Sequence, residues 1–287
     1  MEKKLAALRK RARELKNKRP GYGDILDFYV KIREAQAAST ASLKLPPIKP
    51  GMQGEADPAE ENTYLIGRED FPVDLQASVD LFHNLCRIGS TANTRLAEEM
   101  AKIVKALDDK RQTLETLLAN PGQEQTIEEA AAALGLDGQI LSFLIRNSAR
   151  PSIEAGIMQL QSHVEPEKWR KNHCPVCGCL PTLNILEGKE GKRYSVCSWC
   201  GFRWRIDRVS CAVCGSKEQQ HLEYFYGEGE EACRIDVCGT CHHYIKTIDQ
   251  RDFESSDPFL EDLATLHLDV IAVDRGYARC VPNPWGI

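Results

Sequence analysis

The chain has 287 residues, of which 42% are hydrophobic, and a formal net charge of −5. That length suits about two domains of ~100–200 residues each. The acidic balance argues against nucleic acid as a partner, because such partners usually meet a basic face, and no apolar run approaches the ~18 residues needed to span a bilayer.

The N-terminus, "MEKKLAALRKRARELKNKRP", is basic but lacks an apolar segment followed by a small-residue cleavage site. It therefore does not read as a secretory signal, and the chain reads as cytoplasmic. Residues 2–18 are mostly good helix formers, and their basic run reads as a solvated face. Residues 24–39 carry Ile25, Leu26, Phe28, Tyr29 and Ile32 at helical spacing, with Asp24 as a candidate N-cap. From Lys44 to Pro72 several prolines and glycines break every period, which predicts a long loop. Helical signal returns over 73–88. A long helix is predicted over 92–119, with Leu96, Met100, Ile103, Val104, Leu107, Leu114 and Leu117 on one face and Asn120-Pro121-Gly122 as its stop. Shorter helices are predicted at 126–134, 137–147 and 152–164. This half reads as an all-helical bundle. His83 and Cys86, three residues apart on one helix, are ligand-capable residue types, but packing in or beside the core is the simpler role.

Only Cys86 of the 12 cysteines precedes residue 170, and this shift in composition places a domain boundary near residues 165–172. Thiols paired in a reducing compartment point to metal or redox chemistry. Four C-x2-C pairs follow: Cys174/Cys177, Cys197/Cys200, Cys211/Cys214 and Cys238/Cys241. Two intervening residues let one tight turn aim both sulfurs at a point, and two such turns supply a tetrahedral thiolate site with metal–sulfur bonds of ~2.3 Å. Gly178, Gly201 and Gly215 follow three of the pairs. Their freedom to adopt φ > 0 lets the turn fold back with its N–H groups facing the sulfurs. His242 follows the fourth pair, so that turn is expected to close differently.

An internal repeat decides how the pairs combine. "RYSVCSWCGFRWRID" aligns with "RIDVCGTCHHYIKTID", "CPVCG" with "CAVCG", and the intervening "LNILEGKEGK" with "LEYFYGEGEE". Each unit reads as knuckle, β-hairpin, knuckle, strand. The first site would use Cys174, Cys177, Cys197 and Cys200, and the second Cys211, Cys214, Cys238 and Cys241, giving two metal ions per chain. Modules this short need the metal to fold. Tyr194, Trp199, Phe202, Trp204, Tyr224, Phe225, Tyr226 and Tyr244 are expected to complete their small cores. Cys179, Cys233, Cys280, His173 and His243 are expected not to be ligands. Four thiolates suit zinc or iron equally, and spacing does not choose between them. A closed four-cysteine site leaves no open position for substrate, and no nucleophile elbow, phosphate loop or H-E-x-x-H occurs, so no enzymatic activity is expected. Residues 166–252 hold 13 Lys/Arg against 12 Asp/Glu, which gives a zinc-ribbon nucleic-acid binder no electrostatic footprint.

The order "EPEKWRKNHCPVCGCLP", "RYSVCSWCGFRW", "VSCAVCG", "DVCGTCHHYIKTID" and "DLATLHLDVIAVDRGYAR" resembles the formate dehydrogenase accessory proteins of the FdhE type, over most of residues 165–282. In the helical half only "FPVD" at 71–74 is similar. The resemblance implies an α+β architecture with a helical N-terminal domain (1–167), a first rubredoxin-like module (168–208), and a second module with a C-terminal helix (209–287). It implies iron on the same eight cysteines, with zinc possible. It also implies a cytoplasmic maturation factor that binds the molybdenum or tungsten pterin catalytic subunit of a respiratory formate dehydrogenase, with no nucleic-acid or membrane partner. Two alternatives remain: a rubredoxin-like redox protein passing electrons to the immature dehydrogenase, and the zinc-ribbon nucleic-acid binder.

Overall fold

The structure is a computed structural model and describes residues 2–49, 63–230, 232–251 and 257–282. Helices α1 (Glu2–Lys18) and α2 (Gly23–Thr40) form where the helix-forming residues predict them. Asp24 does not cap α2: Tyr22 holds the N-cap position, and Asp24 sits in the first turn, where its carboxylate complements the helix dipole. Of the predicted 44–72 loop, the described residues are irregular apart from one 3-10 turn, Arg68–Asp70, and residues 50–62 lie outside the described residues. Helix α3 (Leu75–Ser90) starts on Asp74, whose side chain accepts from the Ala77 N–H.

The helix predicted over 92–119 is two helices, α4 (Thr94–Asp108) and α5 (Arg111–Ala119). The break falls in Asp108-Asp109-Lys110. Aspartate disfavours helix interiors, and Lys110 leaves the helical region with φ −130° and ψ 53°. The apolar face runs on through the break, since Met100, Ile103, Leu107, Leu114 and Leu117 share one core. Helix α6 spans Glu124–Leu134. The helices predicted at 137–147 and 152–164 are one continuous helix, α7 (Gly138–Leu160), with Pro151 inside it. Pro151 has no N–H for the carbonyl four residues back. Gln36 of α2 supplies the missing donor, its Nε2 lying 2.9 Å from the Asn147 oxygen.

The C-terminal half is one mixed sheet of strands β1 (Pro181–Glu187), β2 (Lys192–Cys197), β3 (Arg203–Arg205), β4 (Leu222–Tyr226), β5 (Cys233–Cys238), β6 (His243–Asp249) and β7 (Ala278–Arg279). The order is β3-β2-β1-β6-β5-β4, with β7 beside β6. Each metal module contributes its antiparallel hairpin and following strand. The last strand of the second module lies parallel to the first strand of the first, pairing Leu183 with Lys246 and Ile185 with Ile248. The repeat foresees the hairpins but not this seam.

Helices α8 (Pro258–Leu263) and α9 (Leu266–Asp274) replace the single C-terminal helix that "DLATLHLDV" predicts. At the break, buried Lys246 donates from Nζ to the Asp262 oxygen at 2.8 Å and the Thr265 oxygen at 3.1 Å, which satisfies carbonyls a continuous helix would have used. Its ammonium also pairs with Asp262 (2.9 Å) and Asp269 (2.5 Å). Arg279 completes the cluster against both carboxylates.

One face of the sheet is covered jointly by chain ends far apart in sequence. Leu8, Leu15 and Leu26 from α1 and α2 share a core with Leu183, Ile185, Ile235 and Ile248, and with Leu260, Leu263 and Leu268 from α8 and α9. The first helix is therefore not simply a solvated basic face. Its apolar stripe is buried, and Arg11 reaches Glu261 at 2.6 Å. Among the described residues no helix is long and apolar enough to cross a membrane.

Candidate metal centres

The eight cysteines of the C-x2-C pairs gather into two groups, Cys174/Cys177/Cys197/Cys200 and Cys211/Cys214/Cys238/Cys241, each with all four sulfurs within 4.8 Å of one another. These are the combinations the internal repeat predicts. A tetrahedral ion with sulfurs at ~2.3 Å requires sulfur–sulfur edges of ~3.8 Å. In the first group the Cys174–Cys200, Cys177–Cys197 and Cys177–Cys200 separations are 3.6, 3.4 and 3.6 Å. In the second the Cys211–Cys241 and Cys214–Cys238 separations are 3.8 and 3.9 Å. Donor set and spacing fit one thiophilic ion in each group, zinc or iron alike.

Backbone geometry produces this convergence. In every knuckle the residue after the second cysteine donates its N–H to the carbonyl of the first: Gly178 to Cys174, Gly201 to Cys197, Gly215 to Cys211 and His242 to Cys238, at 2.9–3.2 Å. The glycines take φ of 72°, 74° and 76°, and His242 takes 55°. The fourth turn thus closes like the others, contrary to the sequence expectation, with a histidine accepting the left-handed conformation that glycine adopts freely. Inside the turns, N–H groups face sulfur: Val176 to Cys174 at 3.4 Å, Cys200 to Cys197 at 3.5 Å, and Val213 and Cys214 to Cys211 at 3.4 Å each. Such donors stabilise thiolate charge.

The thiols respond to this environment unequally. Burial pushes Cys174 and Cys177 up. At Cys197 burial also acts upward, but hydrogen bonds from Cys174 and Cys177 outweigh it and bring the thiol to about 6. Cys200 is lowered in the same way. In the second group burial raises Cys211 to about 11, while at Cys238 the N–H groups of Cys241 and Thr240 overcome burial and lower it. Each group therefore mixes thiols that burial holds protonated with thiols poised to ionise, and a soft cation would have to displace the protons of the former on binding.

The surroundings of the two groups differ. The first is walled by Trp169, Trp199, Phe202 and Trp204, which pack with Ile153 and Leu160 of α7. Arg150 of α7 donates to the Trp199 oxygen at 3.1 Å. The segment 63–66 closes over the first knuckle, with the N–H of Leu65 donating to the Pro175 oxygen (3.1 Å) and that of Ile66 to the Val176 oxygen (3.0 Å). The Tyr64 ring lies against Gly178. Sequence reasoning missed this cover because it falls within the predicted 44–72 loop and carries no period or spacing signal. In the second module Tyr244 is buried, but Tyr224 and Tyr226 are more than half exposed. They do not complete a small core as expected: the two rings lie side by side on their face of β4, with the Arg234 guanidinium over Tyr224.

The remaining candidates lie outside both groups. Cys233 is buried in the sheet–helix core, with its Sγ 3.5 Å from Thr265 Oγ1. Cys179 is half-buried beside the first group, 3.7 Å from the Cys177 oxygen, and Cys280 is half-buried near the C-terminus. His243 Nδ1 lies 2.7 Å from the Cys241 oxygen, so it touches a knuckle without joining the sulfurs. The His173 ring packs edge-on against Trp169. Cys86 is buried in the helical core, and His83 lies 3.7 Å from Asp108.

Residues 173–208 match the family model described as FdhE, central domain, and residues 209–285 the model described as FdhE, C-terminal domain. A protein FdhE homolog of Aquifex aeolicus is 33% identical over 155 residues, which cover 53% of this chain and 54% of that one. A protein FdhE homolog of Edwardsiella ictaluri is 36% identical over 131 residues, covering 44% and 42%. The match thus spans about half, or less, of these relatives' length. The crystal structure of the FdhE protein from Pseudomonas aeruginosa superimposes with a TM-score of 0.71 at 20% identity, covering 98% of this chain and 94% of that one, and so shares its fold.

Proposed function

We propose that the chain belongs to the FdhE family, whose central and C-terminal domain models it matches, and that it is a non-enzymatic accessory factor for formate dehydrogenase. In this reading it acts in the cytoplasm, where it binds the catalytic subunit before assembly is complete. The eight cysteines of the two groups hold two ions, iron first and zinc second. The observation that carries the reading is the pair of complete four-sulfur groups in a chain matching both FdhE domain models. A closed set of four sulfurs leaves no vacant coordination position, which supports binding over catalysis. The near balance of charge over residues 166–252 supports a protein partner over nucleic acid. As structural divisions we propose 1–167, 168–208 and 209–287, the first two contributing surfaces that enclose the first ion.

The test is capture of the purified pterin-containing catalytic subunit by the full chain. The wild type is expected to retain it, and a Cys211→Ser plus Cys214→Ser variant to lose it together with one ion. Retention at wild-type affinity by a variant that has lost its ion would move the docking role elsewhere. A second reading, electron transfer to the dehydrogenase, is favoured by the solvent exposure of Cys214. It requires the iron-loaded chain to be coloured and to show a reversible one-electron couple.

A further inference from the structure

The two centres differ in access. Cys174, Cys177, Cys197 and Cys200 are 0–5% exposed. Trp169, Trp199 and Trp204 enclose them, and Tyr64, Leu65 and Ile66 close over the first knuckle. An ion there can leave only when the segment 63–66 lifts or the interface with α7 opens. In the second group Cys214 is exposed and Cys241 half-exposed. Gly215, at the tip of its first knuckle, has open space where a side chain would point. A cleft of about 560 Å³ reaches the same group from the sheet face, with Cys211, Cys238, Arg234 and Tyr224 among its lining residues. Described segments do touch the second group's knuckles, with Asn172 donating to the Val213 oxygen, the Gly239 N–H to the His221 oxygen and the Ala278 N–H to the His242 oxygen, yet Cys214 stays exposed beside them.

We propose that the second centre is the exchangeable one: it takes up and gives up a thiophilic divalent cation from the folded chain, whereas the first holds its ion as a permanent part of the fold. The proposal rests on the reading that each centre holds one ion. Ligand exchange at exposed Cys214, and then at half-buried Cys241, lets an incoming chelator bind the cation before the buried sulfurs release it. The cation leaves with the chelator's donors, the four thiolates take protons from water, and no electron moves. At the first centre the same steps require local opening of packed structure, which adds to the barrier.

The full chain, loaded with zinc, would be mixed with excess 4-(2-pyridylazo)resorcinol, and released zinc followed by absorbance. Aliquots trapped with N-ethylmaleimide would be mapped by mass spectrometry. One equivalent is expected in a fast phase and the second at least about tenfold more slowly. Among the eight clustered cysteines the first alkylated are expected to be Cys211, Cys214, Cys238 and Cys241, while half-buried Cys179 and Cys280 react independently of ion release. Tyr64→Ala, at a residue 42% exposed, should accelerate the slow phase and leave the fast phase unchanged. Release of both equivalents at one rate, or first alkylation at Cys174, Cys177, Cys197 or Cys200, would overturn the proposal. A chain that loads fewer than two equivalents at the outset would refute the two-ion reading itself, and the proposal with it.

Discussion

The Arg193 guanidinium, on the second strand of the first metal module, lies 3.1 Å from the Asp236 carboxylate of the second module. The Arg193 side chain is 4% exposed and that of Asp236 15%. Asp236 also accepts from Thr247 Oγ1 at 2.5 Å and pairs with Arg234 at 2.8 Å. Together with the parallel β1–β6 pairing, this ties the two modules into one unit. Replacing Asp236 by alanine leaves a buried guanidinium without its counter-charge, a change that costs about 3–5 kcal/mol. Urea denaturation of the metal-loaded chain should show a loss of that order. A loss no larger than a surface substitution gives would contradict the coupling.

The buried stripe of α1 leads to a second prediction. Leu15→Ala removes contacts from the core shared with the sheet, and should destabilise the chain by about 2–4 kcal/mol. Arg9→Ala, at an exposed ion pair with Glu34, should leave stability close to that of the wild type, because solvent screens such a pair. Thermal melts of both variants check this, and equal, small effects would return α1 to the role of a solvated face.

His242 provides a local test. Because it holds φ at 55°, His242→Gly should leave stability unchanged or raise it by up to about 1 kcal/mol. His242→Val should destabilise the chain, because a β-branched residue resists that conformation. Melting of the metal-loaded variants decides the order. A valine variant as stable as the glycine one would remove the argument from backbone strain.

Glu154 of α7 sets a pH dependence. Burial acts to raise its carboxyl, but the guanidiniums of Arg33 and Arg150, at 3.1 and 2.9 Å, prevail and bring it to about 2. The unfolded-chain value is ~4.3. The stabilisation is therefore fully present above that value and is lost as pH falls towards 2. Glu154→Gln should be less stable than wild type at pH 7, and the gap should narrow below about pH 4 and close only as pH falls through about 2. A gap that widens on acidification would mean that the shift has the opposite sign.

The two centres were legible because their information is local: a C-x2-C turn specifies its own geometry, and a tandem repeat specifies which turns combine. Most helices were legible from apolar spacing. What was not legible depends on distant partners. Gln36 makes the continuation of α7 through Pro151 possible, and its sequence position gives no hint of that. Lys246 reaches the break between α8 and α9 from strand β6, 16 residues before Asp262 in the chain. The register of Ile185 against Ile248 joins strands more than sixty residues apart. The cover formed by Tyr64, Leu65 and Ile66 comes from a segment whose composition reads only as loop.

The most direct measurement is the metal content of the full chain, purified without oxygen, for the wild type, Cys174→Ser plus Cys177→Ser, and Cys211→Ser plus Cys214→Ser, with helicity recorded on the same samples. Two independent four-sulfur centres predict two ions in the wild type and one in each variant that keeps its helicity. Loss of both ions from a still-folded variant, or two ions retained in either, would contradict the assignment.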